Sequence, residues 1–489
     1  MLGNAERDAA GVTPAAFVRL LWKWSAASGA TIFFAISLTA LSFGFGYDVE
    51  VVDMPCLFLV AVLMTAGAAY ALTIPRLLVD THQVSDGQRH RLLWIMLAGG
   101  LLARLALFAS EPILEDDFQR YLWDGGVTAH GYNPYAVSPL AVMLGHVQGP
   151  LSELGADAGD VLPRINHKPL TTIYPPVAQG AFALAHLIEP WSLAAWRGVL
   201  LSFDLATLAL LVALLDLTGR SRLWSALYWL NPVVLKEVFN SAHMEAIVLP
   251  FVLLALLLAS RRRPLMATAA LSLAAGAKFW PALLLPLVVR QLWGERVRLA
   301  AAALIFLGLM ALWLTPMAIN GVNETTGLAA YVDRWQTNSA LFPTVVGLLT
   351  PLHDWIGFSS VDAGGMARAL IAVVLAALGI GVARRQLEGA DDLIRRASII
   401  VAALVLLSPA QLPWYTVWMA PFLVFRPYGA FLVLTALIPL YYTRFYLVAH
   451  ELAGAFEAYV VWVIWAPAWG TILWDLWRGH ALRPNQVNT

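Results

Sequence analysis

Cysteine is almost missing from this 489-residue chain: Cys56, at the start of an apolar run, is the only one. That excludes a disulfide framework and a thiolate metal site, and leaves redox chemistry without a carrier. Charge is scarce too, at 13% of residues, where an average soluble domain carries roughly 25%. The formal net charge is zero and no long basic tract occurs, so the electrostatic footprint of a nucleic-acid partner is missing. No G-x-G-x-x-G, G-x-x-x-x-G-K-[ST] or H-E-x-x-H motif is present, and helix spacing does not repeat between the two halves. Nucleotide-driven pumps and inverted-repeat transporters lose support on both counts.

What the chain has in quantity is apolar surface: 60% of residues are hydrophobic and the mean hydropathy is +0.70. Runs of about 17 to 25 apolar residues, the length that crosses a hydrocarbon core of about 30 Å, recur along it. They predict an all-α membrane protein, a bundle of about 12–14 transmembrane or re-entrant helices. Residues 1–29 read as a cytoplasmic N-terminal segment with a short amphipathic helix over Phe17 to Trp24 rather than a cleaved signal. Residues 30–477 form the polytopic domain and 478–489 a cytoplasmic tail. Arginines before the first span and between the second and third place those segments inside, so the long polar stretch 110–172 faces outward, in a plasma (inner) membrane protein. Later arginine clusters mark cytoplasmic turns. The count of crossings closes only if one of the runs Pro175–Ile188 and Trp196–Leu217 is short and re-entrant. Leu265–Ala277 and Pro281–Val289 are likewise short and meet at Lys278, which predicts a break beside a wet cavity.

The outer stretch opens with Glu115-Asp116-Asp117-Phe118-Gln119-Arg120-Tyr121-Leu122-Trp123-Asp124-Gly125. Read as a surface helix, it places Asp117, Arg120, Tyr121 and Asp124 on one face, at i, i+3, i+4 and i+7. A carboxylate there can accept a proton from a hydroxyl while its neighbours orient it, which is what a general base does. The plainer reading, acidic residues at a helix start, rests on the positive end of the helix dipole. Further polar groups accompany it: Asn166-His167-Lys168 before Tyr174, Lys236-Glu237, His243, Glu245, Lys278, Arg334 and Arg444. Several cations and a carboxylate pair on one face suit a phosphorylated, hydroxyl-bearing substrate. Lys236 with Glu237 also reads as a self-neutralising pair, and Arg104 as a snorkelling side chain.

Asp116-Asp117-Phe118 with Arg120-Tyr121 and Trp123-Asp124-Gly125, then Gly131-Tyr132-Asn133-Pro134-Tyr135, resembles the first outer loop of bacterial polyprenol-phosphomannose-dependent mannosyltransferases of the GT-C fold. The likeness continues through Tyr174-Pro175-Pro176, Asn231-Pro232 with His243, and Lys278 with Pro281. It implies a lipid-phosphate-sugar donor, an active site on the outer face, and an acidic residue at the start of that loop as catalytic base. Asp117 matches that position best and Asp116 is second. The expected function is therefore an inverting transfer of a sugar, mannose first, from polyprenyl phosphate to a hydroxyl of a glycan or glycolipid. Arg120, Tyr121, Asp124, Lys168, Tyr174, Lys236, His243, Glu245, Lys278, Arg334 and Arg444 are the expected substrate-binding residues. A divalent metal, Mg or Mn, is a further expectation, with the paired acids and His243 as ligands. The competing expectations are a lipid-linked sugar flippase and a polysaccharide polymerase or ligase using a lipid-diphosphate donor.

Overall fold

The computed structural model describes residues 12–319, 321, 326–357 and 362–478, and within them not the side chains of 332–334. Among the described residues all regular structure is helical, with one isolated bridge between Thr337 and Ala410. Eight helices are long and apolar enough to cross a bilayer. They include α1 (Pro14–Ser42), α2 (Cys56–Asp80) and α3 (Asp86–Leu107), then Leu193–Leu217 and four later ones. Four shorter apolar helices, Pro176–Ile188, Glu245–Ser260, Pro264–Ala277 and Trp280–Leu292, fall between them. At about 1.5 Å per residue these reach only about 20–25 Å, short of the hydrocarbon thickness.

The break expected at Lys278 is present. The helix Pro264–Ala277 stops there, Lys278 is extended at φ −157° and ψ 138°, and a tight helical turn resumes at Trp280. Pro281, which has no backbone N–H to donate, opens that turn instead of continuing the helix. At the N-terminal end, Phe17 to Trp24 belongs to a single helix with the first apolar run. Gly29 lies between the two parts, but one helix-interior glycine costs only about 1 kcal/mol, too little to separate them.

Buried arginines bind the bundle together. Arg104 is fully buried: its Nε meets Asp204 Oδ2 at 2.6 Å, its NH1 donates to the Trp229 carbonyl at 2.7 Å, and its guanidinium lies 3.5 Å over the Trp229 ring. The snorkelling reading of Arg104 is thus corrected. A cation in apolar surroundings is retained here because a carboxylate pairs with its Nε and two carbonyls accept from its NH1. Arg197, also buried, donates to the carbonyls of Phe108 and Ser110 and to those of Phe239 and Asn240. Asn240 closes the same junction through Ser110 Oγ and the Glu111 carbonyl. The start of the stretch 110–172 is fastened in this way to the chain before His243.

Helix α4 (Asp117–Ala129) then packs closely on Pro176–Ile188. A Cβ at Gly125 would stand 2.4 Å from the Phe182 carbonyl oxygen, so only glycine permits this approach. Tyr121 stacks on Phe182, with ring centroids 4.8 Å apart.

Candidate active site

The acids Asp116 and Asp117 occupy the N-terminal end of α4, Asp116 as cap and Asp117 as first helical residue, where helix polarity favours negative charge. One amide joins them: Asn166 Nδ2 donates to Asp116 Oδ1 at 2.7 Å and to Asp117 Oδ1 at 2.9 Å. Asn166 is itself held by Arg120, whose guanidinium donates to the carbonyls of Asn166, His167 and Leu170. Asp124, one turn further on, accepts from Gln179 Nε2 at 3.3 Å and faces the helix Pro176–Ile188. The helix read as a surface element is buried from Phe118 to Val127, and its predicted face divides its work: Asp117 faces the cavity, while Arg120 and Asp124 hold the surrounding chain.

Burial raises the acids. It pushes the Glu115 carboxyl up to about 7 against the nearby His243. It pushes Asp116 up to about 6, helped by the Asp117 charge, and Asp124 up to about 6 against the opposing Arg120. Proton affinities displaced this far gather where a fold does acid–base chemistry.

In front of the acid pair lies a cavity of about 840 Å³. Glu115, Asp116, Asp117, Arg120, Tyr121 and Tyr174, from the chain around the acid pair, line it together with Glu245, Lys278, Tyr331, Trp335, Trp414 and Tyr415. Phe45, Val49, Val51, Met54 and Phe445 give it an apolar flank, with Arg444 near its edge. Lys278 pairs with Glu245, and its ammonium lies 4.4 Å over the Tyr415 ring and 4.9 Å over that of Trp418. The Arg444 guanidinium donates to Thr337 Oγ1 at 3.1 Å. One cavity thus combines a carboxylate pair, three cations (Arg120, Lys278 and Arg444), several aromatic faces and a hydrophobic flank. Such a set can hold an anion, stack on a sugar and accept a proton.

His243 sits directly behind this wall with no exposed side-chain surface. Its ring stacks on Trp414 at 3.9 Å between centroids. Nδ1 is 3.7 Å from Asp117 Oδ2, and Nε2 is 3.6 Å from Glu115 Oε2 and 3.9 Å from Glu237 Oε2. Those separations exceed a hydrogen bond. Among the described residues, donor atoms of Glu115, Glu237 and His243 group closely enough to share a metal ion.

Not every expected residue comes to the cavity. Lys168 lies outside its lining, on the loop whose carbonyl accepts from the Leu140 amide. Lys236 is buried behind the wall, donating to Ser241 Oγ and the Tyr442 hydroxyl, and that hydroxyl in turn donates to Glu237. Lys236 and Glu237 are therefore joined through Tyr442 rather than paired directly. The Arg334 side chain lies outside the described residues. Glu115, Tyr331 and the apolar flank from Phe45 to Met54 went unassigned in the sequence. For Glu115 a signal existed, its place beside the acid pair; for the flank there was none beyond ordinary hydrophobicity.

Residues 172–409 match the family model of glycosyltransferase family 87. The matched part includes Glu245, Lys278, Tyr331 and Trp335 of the cavity and leaves Asp116 and Asp117 upstream. No curated protein and no solved structure matches. The chain has the apolar helices of a multi-pass membrane protein, and the family match supports glycosyltransferase activity within it.

Proposed function

We propose that this chain transfers a sugar, mannose in our reading, from a polyprenyl-phosphate donor to a hydroxyl of a lipid-linked or glycan acceptor, at the outer face of the membrane and with inversion. One observation carries it: the Asn166-bridged acids line the same cavity as Lys278, Arg444 and a set of apolar side chains. Asp117 takes the proton of the acceptor hydroxyl as that oxygen attacks the anomeric carbon. The bond from that carbon to the donor phosphate breaks in the same displacement. Lys278 and Arg444 meet the charge gathering on the phosphate, since stabilising developing charge is usually the largest catalytic contribution. Tyr331, Trp335 and Tyr415 offer faces for the sugar, and the flank Phe45 to Met54 receives the start of the isoprenoid chain. Helix content supports a lipid-linked donor as well, because no folded unit outside the bundle is present among the described residues to bind a nucleotide sugar.

Purified protein in nanodiscs, given a synthetic polyprenyl-phosphate mannose and a glycolipid acceptor, should form a product of opposite anomeric configuration, read by NMR. Retained configuration would end the single-displacement mechanism, and no transfer from any lipid-phosphate sugar would end the donor assignment. For the face, Ala156→Cys in a Cys56→Ala background places an exposed thiol on the outer stretch. It should react with a membrane-impermeant reagent in intact cells; labelling only after lysis would reverse the orientation.

A further inference from the structure

We propose that Glu115, Glu237 and His243 bind one divalent first-row metal ion, of the zinc or manganese type, directly behind the acid pair. The ion's influence on Asp117 rests on the sugar-transfer reading above; the binding itself does not.

Spacing is the first argument. The three donor atoms lie within 4.8 Å of one another, and His243 Nε2 stands 3.6 Å from Glu115 Oε2 and 3.9 Å from Glu237 Oε2. Two ligands each about 2.1 Å from one ion are separated by about 3.0–4.2 Å, depending on the angle at the metal. The observed contacts are too long for hydrogen bonds and of the right length for ligands sharing a cation. The second argument is satisfaction. His243 is fully buried, yet neither ring nitrogen has a hydrogen-bond partner among the described residues, and the buried Glu115 Oε1 has none either. Buried polar groups left in this state are costly. A metal answers both: Nε2 becomes a ligand and Glu115 can bind through both oxygens.

Charge and surroundings agree. Glu115, Glu237 and Asp117 surround His243, and the Lys236 ammonium is the cation on the same segment, so a divalent ion would offset the excess of negative charge. Metal-bound histidines usually direct their second ring nitrogen at a carboxylate, and His243 Nδ1 faces Asp117 Oδ2. Tyr442 donates to both Glu237 oxygens and fixes that carboxylate, while Trp414 fixes the imidazole plane. Glu237 stands on a π-helical turn, Leu235–Asn240, a form found mostly at functional positions. The imidazole ligand favours zinc over magnesium, and the two carboxylates also suit manganese. Glu237 and His243 are not part of the cavity lining while Glu115 is, so the ion sits behind the wall with one ligand bordering the cavity. His243 is then a positioning residue, held in the tautomer whose Nδ1–H faces the proposed base.

The test uses the full chain purified without chelators. Elemental analysis should find about one equivalent of zinc or manganese per chain, reduced at least tenfold in Glu115→Gln and in His243→Gln. Chelated wild type should regain thermal stability saturably with zinc or manganese and not with magnesium. If His243→Gln does not fold, Glu115→Gln, at the cavity edge, decides. A chelated wild type that no ion stabilises, or a metal-dependent gain unchanged in Glu115→Gln, would overturn the site. Full sugar transfer by stably metal-free enzyme would leave the proposed function standing and remove the ion's role at Asp117. Metal bound as described with no transfer from any lipid-phosphate sugar would do the reverse.

Discussion

Replacing Asp117 with asparagine separates chemistry from folding with little ambiguity, because the contacts around it are known. Asp117 Oδ1 accepts from Asn166 Nδ2 at 2.9 Å, while Oδ2 faces the cavity and His243. An asparagine retains an oxygen for Asn166 and the same shape, and removes the basic lone pair on the cavity side. The structural cost is small. Losing a carboxylate in the first helical turn costs about 0.3–1 kcal/mol, offset in part by relief of the repulsion that raises Asp116. The catalytic cost is larger: a positioned general base contributes about 10²- to 10⁴-fold, or about 3–5 kcal/mol of barrier. Asp117→Asn should therefore melt within a few degrees of wild type, bind donor normally and turn over 10²- to 10⁴-fold more slowly. Asp116→Asn should lose less, because Asp116 makes no cap bond to the backbone and shares its one side-chain donor with Asp117. The assay is sugar transfer by purified variants beside donor binding and thermal unfolding. Near-normal transfer by Asp117→Asn with near-total loss in Asp116→Asn would move the base one residue back. Near-normal transfer by both would refute the role of the pair.

Gly125→Ala should lower the thermal midpoint by the equivalent of about 1–3 kcal/mol, the usual cost of overpacking, since its Cβ would meet the Phe182 carbonyl; Gly180→Ala, with open space at its Cβ, should be neutral or stabilising. Arg104→Met should cost about 3–5 kcal/mol by leaving Asp204 buried and unpaired, and Arg104→Met with Asp204→Leu should unfold at a higher temperature than that single variant. Asp124 is raised in the folded chain to about 6, so its favourable contribution is complete below its unfolded value near 4 and is lost as pH rises through 6. Asp124→Asn should then melt above wild type at pH 8 and lose that advantage on acidification to pH 5; an advantage independent of pH would contradict the assignment.

Much of the framework was legible because lipid imposes simple rules. Spans follow from apolar length, the helix α4 from the i, i+3, i+4, i+7 spacing beginning at Asp117, and the break at Lys278 from two runs each too short to cross. The site was only partly legible because its contacts join residues far apart in sequence, with no period to announce them. Asn166 reaches Asp117 across 49 positions, Tyr442 reaches Glu237 across 205, and Arg104 reaches Asp204 across 100. Lys236, Glu237 and His243 stood out as polar groups in apolar surroundings, which marks expense without showing direction. Where the sequence suggested a pair of neighbours, Lys236 with Glu237, the π turn and Tyr442 supply a longer route. Where it suggested a surface arginine, Arg104, the partner lay on a helix that single-sequence reading cannot place beside it.

Arg197 also governs depth. It projects from the first turns of Leu193–Leu217, a helix of 25 residues, about 37 Å at the usual rise and thus long enough to cross with some tilt. Its four carbonyl partners flank the start of the stretch 110–172 and the turn before His243. The acids are consequently moored to one end of a spanning helix rather than to a free loop. A membrane of different thickness would change the tilt of that helix, and the segments that carry the acid pair and the imidazole are tied to its end by these bonds. Their height relative to the headgroup region stays near that of the helix end, where the polar head of a lipid would lie.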